Sequence, residues 1–137
     1  MTLLLSDLDI AARTIAGEAR GEFKDGQVDV AHVLLNRWRE TRGQFRMDHT
    51  LAATCLRWKQ FSCWNHNDPN RLVMEGLTAN DEVYRMALHS LLEAIDSPAD
   101  RTLGSKHYST IETNPSWAAD HKPCYTNGGH KFWNSID

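Results

Sequence analysis

Cysteine is scarce in this chain and poorly placed for a scaffold: only Cys55, Cys63 and Cys124 occur in 137 residues. An odd set with no C-x-x-C spacing argues against a disulfide framework and against a paired zinc knuckle. Reduced thiols are the expected state, with a single Cys55 to Cys63 bridge the alternative in an oxidising compartment. Long apolar runs are also lacking. The opening "MTLLLSDLDI" has a short apolar run with no basic residue before it and no small-residue cleavage site, so it does not read as a signal peptide or a membrane span. There is no basic excess either. The formal net charge of -3, with 41% hydrophobic and 24% charged residues, excludes a polybasic nucleic-acid binder and a disordered chain. Repeats, linkers and low-complexity blocks are absent, and residues 1–137 are expected to form a single domain.

Two catalytic classes lack their signatures. Seven histidines are present, yet His66, His107, His121 and His130 are scattered, there is no H-E-x-x-H, and His32 sits in an apolar stretch. This is not a zinc-hydrolase pattern, and no metal or cofactor is expected. No nucleophile signature surrounds Cys63 or Cys124, which argues against a cysteine hydrolase.

What the chain does have is helical punctuation. Ser6 followed by Asp9 resembles a capping box, and Leu8, Ala12, Ile15 and Ala19 form an apolar stripe at helical spacing, predicting a helix from about Asp7 to Ala19. "QVDVAHVLLNRW" leaves little polar face and predicts a core helix. Asp48 is the expected cap of a short helix through "TLAATCLRW", and "KQFSCWNHNDPN" reads as an irregular loop. Val83, Ala87, Leu88, Leu91, Leu92 and Ile95 predict a further amphipathic helix from about Asn80 to Ile95, with Pro98 just beyond it. Then the character changes. "SKHYST" reads as a strand, and "PCYTNGGHKFW" as a hairpin around Asn127-Gly128-Gly129, because Asn and Gly tolerate the positive φ of such turns. Helices followed by a small antiparallel sheet make an α+β order.

The stretch "ARTIAGEARGE" sets Glu18 and Glu22 four residues apart, each just after a glycine. At about 100° per residue, Glu18 lies roughly 60° from Ile15, at the border of the apolar stripe. A carboxyl withdrawn there gains proton affinity, as a general acid at neutral pH requires. Spacing alone leaves open a border glutamate that reaches outward into solvent. Glu22 reads as a second carboxylate, a cap of the next turn, or a surface charge.

From Ala12 to Trp38, "ARTIAGEARGEFKDGQVDVAHVLLNRW" resembles the signature of the cell-wall hydrolase family typified by the spore-cortex-lytic enzyme SleB, roughly A-R-x-I-x-x-E-A-x-G-E-x-x-x-G-Q-x-x-V-x-x-V-x-x-N-R. "QFSCW" is similar to that family's Q-F-S loop, "SKHYST" to its aromatic strand, and "PSWA…GGHKFW" to its closing segment. Between Asn65 and Pro98 the likeness is only a pattern of helix and polar loop. The resemblance implies a lysozyme-like α+β domain that cuts peptidoglycan glycan strands, with the first glutamate of E-A-x-G-E, here Glu18, as the catalytic acid. It places Glu22, Gln60, Ser62, Asn65, His107, Tyr108, Trp117 and His130 around the sugar cleft. Amides and aromatic faces there suit N-acetylated sugar rings, although Tyr108, Trp117 and Trp133 would serve equally well as core.

A two-carboxylate glycosidase needs a second acid about 5 to 9.5 Å from the first. Glu22, Asp68, Glu112 and Asp120 are available, but none is as well marked as Glu18. A lytic transglycosylase needs one glutamate only, acid first and base second, and the resemblance implies that route ahead of a hydrolysing muramidase. The expected partner is the peptidoglycan glycan strand, met by a monomer, with no nucleic-acid or membrane partner. A phage endolysin, made in the host cytoplasm and acting on periplasmic or cell-wall peptidoglycan after release, is the setting that goes with this reading.

Overall fold

A computed structural model of the chain describes residues 2–40, 42–57, 61–97 and 99–136. Among the described residues the helices are α1 (Leu5–Ala19), α2 (Lys24–Trp38), α3 (Leu51–Leu56), α4 (Pro69–Glu75) and α5 (Glu82–Asp96), and the strands are β1 (His107–Thr110), β2 (Tyr125–Asn127) and β3 (His130–Trp133). Single 3-10 turns occupy Ser62–Trp64 and Ser116–Ala118. This is the helices-then-sheet order expected of an α+β chain. Gln60 and Pro98, both singled out in the sequence, lie outside the described residues, as does the side chain of Ser62.

Helix α2 is the central element because its sequence is apolar nearly all round: twelve of its fifteen residues are buried. Helix α1 presents Ala11, Ile15 and Ala19 to the core, and α5 presents Ala87, Leu91 and Ala94. Small residues on these faces let the helix axes approach, while each fully buried Ile or Leu contributes about 1.5 to 3 kcal/mol. No helix among the described residues is long and apolar enough to cross a membrane.

The caps differ from those expected. Asp7, not Asp9, receives the backbone N–H of Leu4 (2.9 Å), and its other oxygen receives that of Ala52 (3.0 Å), so one buried carboxylate ties the start of α1 to the start of α3. Asp9 instead accepts from Arg13 and from the Tyr84 hydroxyl. Thr50 caps α3 through Ala53, whereas Asp48 pairs with Arg57. Helix α4 was not legible as a helix; Asp68 caps it through the N–H of Asn70 and Pro69 supplies its first residue, a start signal inside a stretch that otherwise reads as loop. All three cysteines are free.

The sheet has the order β1–β3–β2, antiparallel throughout. Its register pairs Tyr108 with Phe132 and Phe132 with Tyr125, and Thr110 with His130 and His130 with Asn127. Since side chains alternate along a strand, these six residues share one face, and His107, Ser109, Lys131 and Trp133 share the other. Gly128, with φ of +55°, makes the β2–β3 turn where a side chain would be strained.

Candidate active site

The final turn of α1 carries Glu18, and its position is fixed from three sides. Gln27 of α2 donates its amide to the carbonyl of Ala19 (3.2 Å) while accepting from Ser90 of α5 (3.0 Å), so a buried side chain closes the helix end that holds the acid. Gly17 explains the glycine before Glu18. A methyl group there would meet Met74 Sδ, and would lie 2.9 Å from Cys63 Cβ and 3.0 Å from Cys63 Sγ. Without a side chain at position 17, the turn bearing Cys63 comes close enough for its thiol to donate to Glu18. From the sheet, the Tyr108 hydroxyl donates to Glu18 Oε1 at 2.9 Å.

The electrostatics of this carboxyl follow from those contacts. Burial pushes Glu18 above the ordinary carboxyl range; the hydrogen bonds from Tyr108 and Cys63 and the charge of Arg37 pull it back, and the charge of Asp68 adds to the rise. Burial and then the charge of Glu18 hold the Tyr108 phenol well above its ordinary value, so it stays a donor. The Cys63 thiol is likewise raised by burial and by Glu18. A half-buried carboxyl faced by neutral donors gains proton affinity, which suits it to hand a proton to a ligand.

Glu22 does something different. Its Oε1 accepts the N–H of Gly129 at 2.8 Å and lies 3.0 Å from His130 Nδ1. A side chain at Gly128 would come within 2.9 Å of Glu22 Oε2, so the Gly128-Gly129 pair is what admits the carboxylate to the turn. His130 in turn stands edge-on to the Tyr108 ring, with centroids 5.2 Å apart at 88°. Burial lowers its imidazole and Glu22 opposes that shift. The two glutamates are thus linked through the sheet: Glu22 to His130, His130 to Tyr108, Tyr108 to Glu18.

A third carboxylate, Asp29 of α2, was hidden in the sequence by its apolar neighbours. Its side chain is fully buried, and it accepts from Asn127 Nδ2 (2.8 Å), the Tyr125 hydroxyl (3.1 Å) and Arg101 Nη2 (3.3 Å). It clamps β2 to α2 from beneath. A charged residue inside an otherwise apolar helix was the available signal.

The remaining sequence candidates divide by sheet face. Glu18, Glu22, Tyr108 and His130 come together. His107 and Trp117 are placed on the opposite face, where His107 packs against Phe45 and Trp117 (centroids 5.8 and 5.2 Å), approaches Gln44 at 3.0 Å, and Trp117 meets Trp133 at 4.9 Å. Asn65 is half-buried in the loop before α4. Of the acids weighed as a second carboxylate, Glu112 and Asp120 are exposed, whereas the charge of Asp68 reaches Glu18. A hollow of about 440 Å³ opens beside Asp68, lined also by His66, Asn67, Arg71, Leu72 and Glu75. Next to these residues in sequence, Asn70 accepts from Arg20, the residue after α1, at 2.9 Å. Among the described residues no group of three or more His, Cys, Asp or Glu side chains could hold a metal ion.

Residues 21–133 match the model of a family described as Cell Wall Hydrolase, a span that begins just after Glu18 and takes in most of the chain. Among solved structures, the crystal structure of the catalytic domain of the Bacillus cereus SleB protein is similar to this one, with 25% sequence identity and a TM-score of 0.75. That match covers 96% of this chain and 91% of the other. The fold is accordingly a lysozyme-like α+β arrangement. No curated protein matches the chain significantly in sequence.

Proposed function

The chain belongs to the cell wall hydrolase family, and from that premise we propose that it cuts peptidoglycan glycan strands between N-acetylmuramic acid and N-acetylglucosamine, as a lytic transglycosylase with Glu18 as acid and then base. The observation that carries this reading is the Glu18 carboxyl itself: half-buried, raised by burial, and held by the Tyr108 hydroxyl at 2.9 Å. In the first step the Glu18 proton passes to the glycosidic oxygen, the bond from that oxygen to the muramic C1 breaks, and positive charge develops at C1. The N-acetylglucosamine leaves with a free 4-hydroxyl. In the second step the muramic 6-hydroxyl attacks C1 and gives its proton to the Glu18 carboxylate, which restores the acid and closes a 1,6-anhydro ring. No water is consumed and no second acid is required.

The hollow beside Asp68, lined by amide, imidazole, apolar and charged side chains, supports an extended ligand with polar groups along its length, as a glycan strand has. His130 and Glu22 support Tyr108 rather than the bond being cut. A second reading rests on Asp68. Its charge acts on Glu18, so it stands as the candidate to orient a water for hydrolysis. A phage endolysin made in the host cytoplasm and released onto the wall is the setting proposed for either chemistry. Expression with and without a membrane pore-former tests it, lysis being expected only with the pore.

The discriminating experiment is mass spectrometry of digested sacculi with wild-type, Glu18→Gln and Glu22→Gln proteins. Wild type is expected to release 1,6-anhydro muramic ends. Glu18→Gln keeps the shape and removes the proton donor, so release falls by at least about a hundredfold with the fold intact by circular dichroism. Glu22→Gln costs less, since an amide oxygen still accepts from Gly129. Near wild-type cleavage by folded Glu18→Gln sinks the reading. Reducing ends carrying oxygen from labelled water turn it to hydrolysis, with Asp68 as the next residue to change.

A further inference from the structure

Arg37 is a cation without a visible reason to be where it is. It sits in the last turn of α2, only 4% exposed, with its guanidinium carbon 4.6 Å from the Phe45 ring centroid and 4.8 Å from that of Phe61. Nε donates to the carbonyl of Lys106 at 2.6 Å, while Nη1 is buried with no hydrogen-bond partner among the described residues. No described carboxylate pairs with it at ion-pair distance. Stacking on two aromatic rings offsets part of its lost hydration, but an unpaired buried charge costs several kcal/mol in general and calls for an explanation.

The groups that face Arg37 supply one. Those whose electrostatics act on it are Tyr108 on β1, Cys55 on α3, Glu18 on α1 and Arg57 after α3, and Tyr108 lies two residues beyond the Lys106 carbonyl that Arg37 binds, with its hydroxyl on Glu18 at 2.9 Å. Glu18 is faced by Tyr108, by Cys63 of the 3-10 turn, by Arg37 and by Asp68. Of these four, only Arg37 brings a positive charge, the sign that favours a carboxylate. Burial lowers the guanidinium to about 10, which leaves it charged at neutral pH. Its Nε hydrogen bond ends on the carbonyl of Lys106, two residues before Tyr108.

We infer that Arg37 is the buried counter-charge of the Glu18–Tyr108 pair: it stabilises the carboxylate that remains after proton donation and, through the Lys106 carbonyl, holds β1 so that Tyr108 faces the acid. The inference rests on the reading of Glu18 as acid and then base. That sequence needs both protonation states of one carboxyl to be reachable in every turnover. Burial alone favours the protonated state and strands the second step. A fixed positive charge without a carboxylate partner of its own leaves its field available to Glu18, and a conventional salt bridge would have cancelled it. Arg37 touches neither sugar nor reacting bond, so it is a positioning residue.

The test follows the Glu18 carboxyl carbon by NMR against pH in wild type, Arg37→Met, Arg37→Gln and Arg37→Lys, alongside pH–rate profiles on one wall preparation. Removing the positive charge removes stabilisation of the carboxylate, so in the two neutral variants the Glu18 midpoint is expected to rise by about one pH unit. The alkaline limb of the rate, where the protonated acid is lost, moves up with it. Arg37→Lys keeps the charge and leaves the midpoint near wild type while the turnover falls. In wild type the Arg37 guanidinium signals shift with the Glu18 midpoint, and Glu18→Gln abolishes that shift. An unmoved Glu18 midpoint in either folded neutral variant overturns the inference. So does a flat Arg37 signal in wild type, a measurement that needs no variant to fold. Failure of the glycan-cutting reading shows separately, as absent muropeptide release by wild type whatever the titrations do.

Discussion

The hydroxyl of Tyr108 donates to Oε1 of Glu18 at 2.9 Å across 90 residues of sequence. That bond joins the helical half of the molecule to the sheet at the acid itself. It also opposes burial, because a donor to the carboxylate favours the charged form.

Tyr108→Phe removes the donor and keeps the ring that packs on His130 and Phe132. The Glu18 carboxyl then rises further above its ordinary range. Activity is limited at high pH by loss of the Glu18 proton, so the alkaline limb of the rate is expected to move to higher pH. The maximal rate falls about tenfold from lost orientation. An alkaline limb displaced to lower pH in a folded variant is the contrary result.

Gly17→Ala places a methyl group against Met74 and Cys63. Neither neighbour is free to retreat, since both are buried. A loss of about 1 to 3 kcal/mol is expected, read as a lower melting temperature together with reduced wall cleavage. Gly21 is the control: a methyl group there meets nothing within 4 Å, and Gly21→Ala is expected to leave the melt within about 0.5 kcal/mol of wild type.

Asp29→Ala leaves the Tyr125 hydroxyl and the Asn127 amide without their buried acceptor. The expected cost is about 1 to 3 kcal/mol. The loss is local to the hairpin, so hydrogen exchange over residues 125–133 should speed up more than exchange in α5. Equal acceleration throughout contradicts a clamp specific to β2.

His32 and His130 give the stability a defined dependence on pH. Burial lowers both imidazoles from the ordinary value of 6.5. The unfolded chain therefore binds more protons than the folded one in the window below that value. The contribution is fully present above 6.5 and is lost as pH falls through the lower folded values. Chemical denaturation at a series of pH values between 7.5 and about 5 should show falling stability, with a shallower fall in a His32→Asn, His130→Asn double variant. A fall no steeper in wild type than in the double variant is the result that rules this out.

The sequence by itself determined the elements whose signals are local. The 3.6-residue stripe of Leu8, Ala12, Ile15 and Ala19 gave α1, the all-round apolar run gave α2 its central place, and Asn127-Gly128-Gly129 gave the hairpin, because backbone periodicity and positive φ are written in neighbouring residues. The α+β order and the border position of Glu18 followed from the same local rules. Only the tertiary structure decided what those residues meet. That Tyr108 faces Glu18 while His107 turns to the far side depends on sheet register, and shifting a strand by one residue would exchange them. That Glu22 caps a hairpin turn 107 residues away, that Gly17 exists to admit Cys63 and Met74, and that Arg37 lies buried behind the acid are consequences of packing between distant segments. Local periodicity fixes which face of an element is apolar, but proton affinity at Glu18 is set by desolvation, by the hydrogen bonds from Tyr108 and Cys63 and by the charges of Arg37 and Asp68, an arrangement that exists only once the chain has folded.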